Sequence, residues 1–221
     1  GAGSINGGGG ADTLDFDGAV GAATIDLGAG ADSLNFAGNV AGATISGADT
    51  SGDVAILAGT NTVAFTALGD GAQVSFASNN DMATFIGAVS AGSIYGGAGS
   101  DTLSFDGAVT SGATIDQGAG ADSVYFGSSL TGTTLTGSGA DTFSMQGQTT
   151  VVFGALATDA SQVSFGANND MATFNAAVGA GSIYGGGGAD TLDFDGAVGA
   201  ATIDLGAGAD SLNFAGNVAG A

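Results

Sequence analysis

Large apolar residues alternate with small or polar ones in short runs, and glycine-rich stretches divide the runs about every 10 residues. In Thr13-Leu14-Asp15-Phe16-Asp17, Leu14 and Phe16 point one way and Asp15 and Asp17 the other, because strand side chains alternate. Ile25 and Leu27 face inward beside outward Thr24 and Asp26. Leu34 and Phe36 repeat the pattern around outward Asn35. The spacing predicts two strands per unit of about 20 residues.

Two repeats are nested. The short one sets "SINGGGGADTLDFDGAVGAA" (4–23) before "TIDLGAGADSLNFAGNVAGA" (24–43), and Ile5, Ile25, Ile45, Val74 and Ile94 read as one column. The wider gap between Ile45 and Val74 holds an extra strand-like run, "VAIL" or "TVAF". The long repeat is marked by Ile5, Ile94 and Ile183, giving units 1–89 and 90–178 and a partial unit 179–221. Residues 179–221 match 1–43 except for Tyr184 against Asn6, so the chain reads as one continuous array, a window of a longer polymer-like sequence.

Even short strands joined by regular turns predict an all-β fold, a β-solenoid (parallel β-helix) with coils of about 20 residues and two strands per coil. A three-sided coil of about 30 residues is the alternative, because the long repeat divides nearly evenly by three. Stacked coils place Phe16, Phe36, Phe105, Phe126, Phe194 and Phe214 in an internal ladder. Eleven coils at the strand spacing would make a rod of about 50 Å.

Composition narrows the function. All 21 acidic residues are Asp, and there is no Lys, Arg or His, so the net charge is −21 and no side-chain salt bridge forms within the chain. Nucleic acid and anionic membranes are unsuitable partners, since phosphate needs basic side chains. No apolar run is long enough to span a membrane. Without His, Cys, Lys or Arg there is no ordinary general base, thiol nucleophile or oxyanion clamp, and the repeated aspartates single out no catalytic pair, so an enzyme is not expected. The missing Cys leaves the redox compartment undefined.

The charged residues that carry a motif follow the glycine turns. "GGGGADTLD" (7–15 and 185–193) and "GGAGSDTLS" (96–104) fit the nonapeptide G-G-x-G-x-D-x-U-x, where U is large and apolar. "LGAGADSLN" (27–35 and 205–213), "QGAGADSVY" (117–125) and "TGSGADTFS" (136–144) lose only the first glycine or shift a small residue. On these motifs the chain resembles the RTX, or haemolysin-type calcium-binding, repeat proteins, which include bacterial surface-layer, adhesin and extracellular filament proteins. The resemblance implies Ca²⁺ held at stacked turns, here by Asp12, Asp32, Asp49, Asp101, Asp122, Asp141, Asp190 and Asp210. The chemistry agrees: Ca²⁺ takes six to eight oxygen ligands, and Asp is short enough to reach back into its own turn. The motif recurs once per 20 residues rather than every nine, so one edge at most is expected to form a metal column. That column fades at "SGADTSGD" (46–53) and where Asn replaces Gly in "ASNNDMA" (77–83) and "GANNDMA" (166–172). The plainer alternative is that the aspartates make turn hydrogen bonds without metal.

Asp15, Asp26 and Asp193 read as a solvated acidic face. Thr24, Thr44, Thr114, Thr134 and Thr202 align at the coil period but make too narrow a column for an ice-binding grid. The expectation is a secreted structural repeat protein at the cell surface, forming a filament, sheath or surface layer by self-assembly, with Ca²⁺ at its turns. Its partners would be copies of itself and cell-surface polysaccharide. A metal-free β fibre and an acidic adhesin stalk are the rival readings.

Overall fold

The computed structural model describes residues 3–48, 52–155 and 161–220. Successive strands, from Ser4–Asn6 to Ser211–Phe214, are dealt alternately to two parallel sheets of 11 strands each. The first sheet begins with Ser4–Asn6 and Thr24–Asp26, the second with Thr13–Phe16 and Ser33–Phe36. Each strand pairs with the strand two places on: Ile5 with Ile25, Leu14 with Leu34 and Phe16 with Phe36. This is the two-sided β-solenoid with a coil of about 20 residues, and it replaces the three-sided alternative.

The core is a continuous layer of side chains between the sheets, to which both sheets contribute in every coil. Ile25, Leu34, Phe36, Ile45, Phe65, Phe85, Phe105 and Phe194 are completely covered. Parallel, in-register pairing sets like on like. Phe65, Phe85, Phe105 and Phe126 stack at centroid separations of 5.2, 4.6 and 4.9 Å. Such offset aromatic pairs add to the burial of the rings themselves.

The sequence-based columns do not run straight through this rod. Ile5, Ile25 and Ile45 lie in the first sheet, whereas Val74 and Ile94 lie in the second. The gap between Ile45 and Val74 therefore spans one and a half coils, and the extra run supplies strand Asn61–Phe65 of the first sheet. The same offset divides the phenylalanines. Phe16–Phe36 and Phe194–Phe214 belong to the second sheet and Phe105–Phe126 to the first. Phe143 of the first sheet meets Phe153 of the second edge-on at 5.3 Å, where the ladder crosses the core. Thr24 and Thr44 likewise share the first sheet with Thr202, while Thr114 and Thr134 stack in the second.

The cause is arithmetic. The repeated strands Ser4–Asn6, Ser93–Tyr95 and Ser182–Tyr184 are nine strands apart. Nine is odd, so each long unit puts its equivalent residues on the opposite sheet from the unit before.

Candidate functional site: the acidic ladders

Glycines shape the turns that carry the aspartates. Gly28, in the left-handed region at φ +93°, packs directly on the main chain of Gly8, and a Cβ there would overlap the Gly8 carbonyl oxygen. Gly118 meets Gly97 in the same way in the middle unit. The close approach lets a turn on one coil hydrogen-bond to the turn on the next.

Within this stack the motif aspartates form ladders. The main-chain N–H of Asp12 donates to Asp32 Oδ1 at 2.8 Å, and that of Asp32 donates to Asp53 Oδ1 at 2.8 Å. In the middle of the rod Asn61 donates to Asp81, Asp81 to Asp101, and Asp101 to Asp122, at 2.7, 2.8 and 2.8 Å. Asp122 continues to Asp141 at 3.2 Å, and Asp141 ends on Ser161 Oγ at 3.3 Å. The third ladder runs from Thr149 through Asp170 and Asp190 to Asp210, at 2.7, 2.9 and 3.0 Å. Each carboxylate after Asp12 thus accepts a main-chain N–H from the coil before it, which satisfies a donor that the turn leaves outside the sheet.

The half-coil offset decides where the ladders lie. Asp12, Asp32 and Asp53, and later Asp170, Asp190 and Asp210, sit where the chain passes from the first sheet to the second. Asp81, Asp101, Asp122 and Asp141 sit on the opposite edge, where it passes back. The expectation of a single interrupted column is therefore corrected: both edges carry aspartate ladders, in alternation. The edge facing each ladder carries an apolar column, with exposed Asp17, Asp106 and Asp195 beside it. Val20 bridges Val40 across from Asp12 and Asp32, and Leu68, Val89, Val109 and Leu130 form a column across from the middle ladder. Val178, Val198 and Val218 do the same across from the third. The valine column gives way to the acidic one at Asn61, which pairs with Val40 on one side and Asp81 on the other.

Of the eight aspartates singled out from the motif, Asp12, Asp32, Asp101, Asp122, Asp141, Asp190 and Asp210 stand in ladders. Asp49 lies outside the described residues. Asp53 takes the ladder position in its coil, and Asp81 and Asp170 extend the other two ladders although Asn stands where their motifs would have Gly. Counting coil lengths from Asp32 and from Asp101 would have found Asp53 and Asp81; the glycine pattern hid them. Asp15 and Asp193 sit on the solvated face, where the Asn35 and Asn213 amides donate to them at 2.8 Å.

The second carboxylate oxygen has a different environment. The Oδ2 atoms of Asp12, Asp32, Asp81, Asp101, Asp122, Asp141, Asp170 and Asp190 are buried and accept no hydrogen bond. Burial pushes Asp101 up to about 6; the N–H donated by Asp81 opposes the shift, and the charges of Asp122 and Asp81 add to it. Asp141 and Asp170 are likewise raised to about 6, first by burial, and Asp81, Asp122 and Asp190 are raised for the same reason. Main-chain carbonyls share these corners: Leu27 O and Asp12 Oδ2 both border the space a Cβ on Gly7 would take, and Leu205 O and Asp190 Oδ2 that on Gly185. An oxygen-lined corner without a donor suits a hard cation or a proton. The residues present fit Ca²⁺ in donor type, and these Oδ2 atoms are the ones that would hold it. Among the described residues no three carboxylates converge on one point, so carbonyls and water would complete the shell.

No protein-family model, curated protein or solved structure matches this chain.

Proposed function

We propose that the chain is a structural rod, an extracellular repeat segment that builds a filament, sheath or surface layer and binds Ca²⁺ along its acidic ladders. The observation that carries this reading is the coil-on-coil stacking: two 11-stranded parallel sheets, a shared core and ladders of buried carboxylates. Such an array supports mechanical continuity, and its chain has no His, Cys, Lys or Arg to serve a catalytic centre. Millimolar calcium outside cells would load weak sites, which favours a secreted location. Copies of the same chain, joined through solenoid ends, and cell-surface polysaccharide are the partners this role implies.

A second reading, a metal-free fibre or adhesin stalk, is favoured by the main-chain N–H groups that already occupy Oδ1 in each ladder. Circular dichroism melts in calcium and in excess chelator separate the two. Calcium should raise the melting temperature by several degrees; identical melts would remove calcium from the function. Electron microscopy of the concentrated protein should show rods or sheets, and dispersed monomers would refute the assembly role.

A further inference from the structure

We propose that Gln117 and Asp141 form the primary cation site of the rod, a buried position inside the middle acidic ladder that takes a hard divalent ion of the Ca²⁺ class. The inference rests on the cation reading of the ladders and narrows it to one place.

The repeat defines the position. Leu27 and Leu205 occupy the slot five residues before a motif aspartate, and their carbonyls border the glycine one coil earlier, Gly7 and Gly185. Gln117 occupies the same slot in the middle unit, and its carbonyl and Asp101 Oδ2 both border Gly96. Leu27 is completely covered and belongs to the core. Gln117 is also 0% exposed, yet it brings an amide where its equivalents bring an isobutyl group. Neither Oε1 nor Nε2 has a hydrogen-bond partner, although a buried amide in a folded protein nearly always finds one.

The amide points to a notch. A Cβ on Gly137 would stand 2.7 Å from Asp141 Oδ2 and 3.2 Å from Gln117 Oε1. Two unpartnered oxygens, one charged and one neutral, thus face the space left by the missing side chain. Amide and carboxylate oxygens together are a usual Ca²⁺ donor mixture, and a cation there also offsets the charge crowded along Asp101, Asp122 and Asp141. Where leucine fills the slot only carboxylate and carbonyl oxygens remain. The middle unit therefore loads first.

Calorimetric titration of the chelator-stripped 221-residue protein with CaCl₂, paired with thermal melts, tests this. The unaltered chain should show one site tighter than the rest. Gln117→Leu restores the residue that Leu27 and Leu205 supply, so the fold is retained; the tightest site should weaken at least tenfold, with no fall in the melting temperature measured in chelator. Gln117→Glu adds a charged oxygen and should tighten that site. A Gln117→Leu titration indistinguishable from the unaltered one, or weaker binding in Gln117→Glu, overturns the assignment while leaving calcium on the ladders. No calcium binding by the unaltered chain would refute the cation reading as a whole, and this site with it.

Discussion

Replacing Asp101 with Asn should stabilise the rod at neutral pH in the absence of metal. Asp101 is 2% exposed, its Oδ1 accepts the Asp81 N–H at 2.8 Å, and its Oδ2 has no donor. Asparagine keeps the accepting oxygen and puts an N–H₂ where Oδ2 stood, at the Gly96 corner that the Gln117 carbonyl also borders. The substitution thus removes a buried charge together with an acceptor that has no donor. The magnitude follows from the shift of Asp101 from 3.8 to about 6. Two pH units correspond to about 3 kcal/mol, and solvent screening at the corner of so thin a rod reduces this to about 1–2 kcal/mol. The sign runs with pH. Because the folded-state value lies above the unfolded one, ionisation costs the folded state most above about pH 6, and that cost disappears as the pH falls towards 4. Urea midpoints in chelator, measured at about pH 7.5 and about pH 5, should therefore be higher at the acid pH for the unaltered chain. Asp101→Asn should raise the neutral midpoint and shrink the difference. A chain that loses stability on acidification over this interval, or an Asp101→Asn variant weaker at both pH values, would refute the reasoning.

Other perturbations test the same physics. Asp122→Ala leaves the Asp101 N–H without its acceptor and should cost about 1–3 kcal/mol, whereas Asp122→Asn should not, as read by chemical denaturation. Gly118→Ala forces a side chain into the Gly97 carbonyl at φ +87° and should lower the melting temperature much more than Gly8→Ala, whose Cβ would meet nothing within 4 Å. Phe105→Ala breaks a stack between Phe85 and Phe126 and should cost about 3–5 kcal/mol by the same denaturation assay.

The strands and their inward residues were legible in the sequence because alternation and glycine turns report directly on pleat and coil. Leu14, Phe16, Ile25 and Phe36 all face the core as their spacing implies. Which sheet each strand joins was not legible. Local alternation is identical on both sides of a two-sided coil, and only the count of strands between Ile45 and Val74 shows that the repeat has moved half a coil. The glycines mark the motif aspartates, so the turn of Asp81, built by Asn79 and Asn80, reads as an interruption although Asp81 holds the same place in the ladder. Gln117 stands in the sequence only where a motif lacks its first glycine; its meaning depends on the Gly137 notch, which exists only once the coils are stacked.

The alternating ladders follow from the two-strand coil, in which each strand pairs with the strand two places on. The chain has no cysteine, so paired cysteines can carry pyrene labels without background. Asn35 and Ile56 are register partners on the outer face of the second sheet. Labels on these two residues should give strong excimer emission. Labels on Ile56 and Ile86, which a 30-residue coil would stack, should give monomer emission alone, because the strand Met82–Phe85 just before Ile86 belongs to the first sheet. Excimer emission from the second pair and none from the first would mean a 30-residue coil and no alternating ladders.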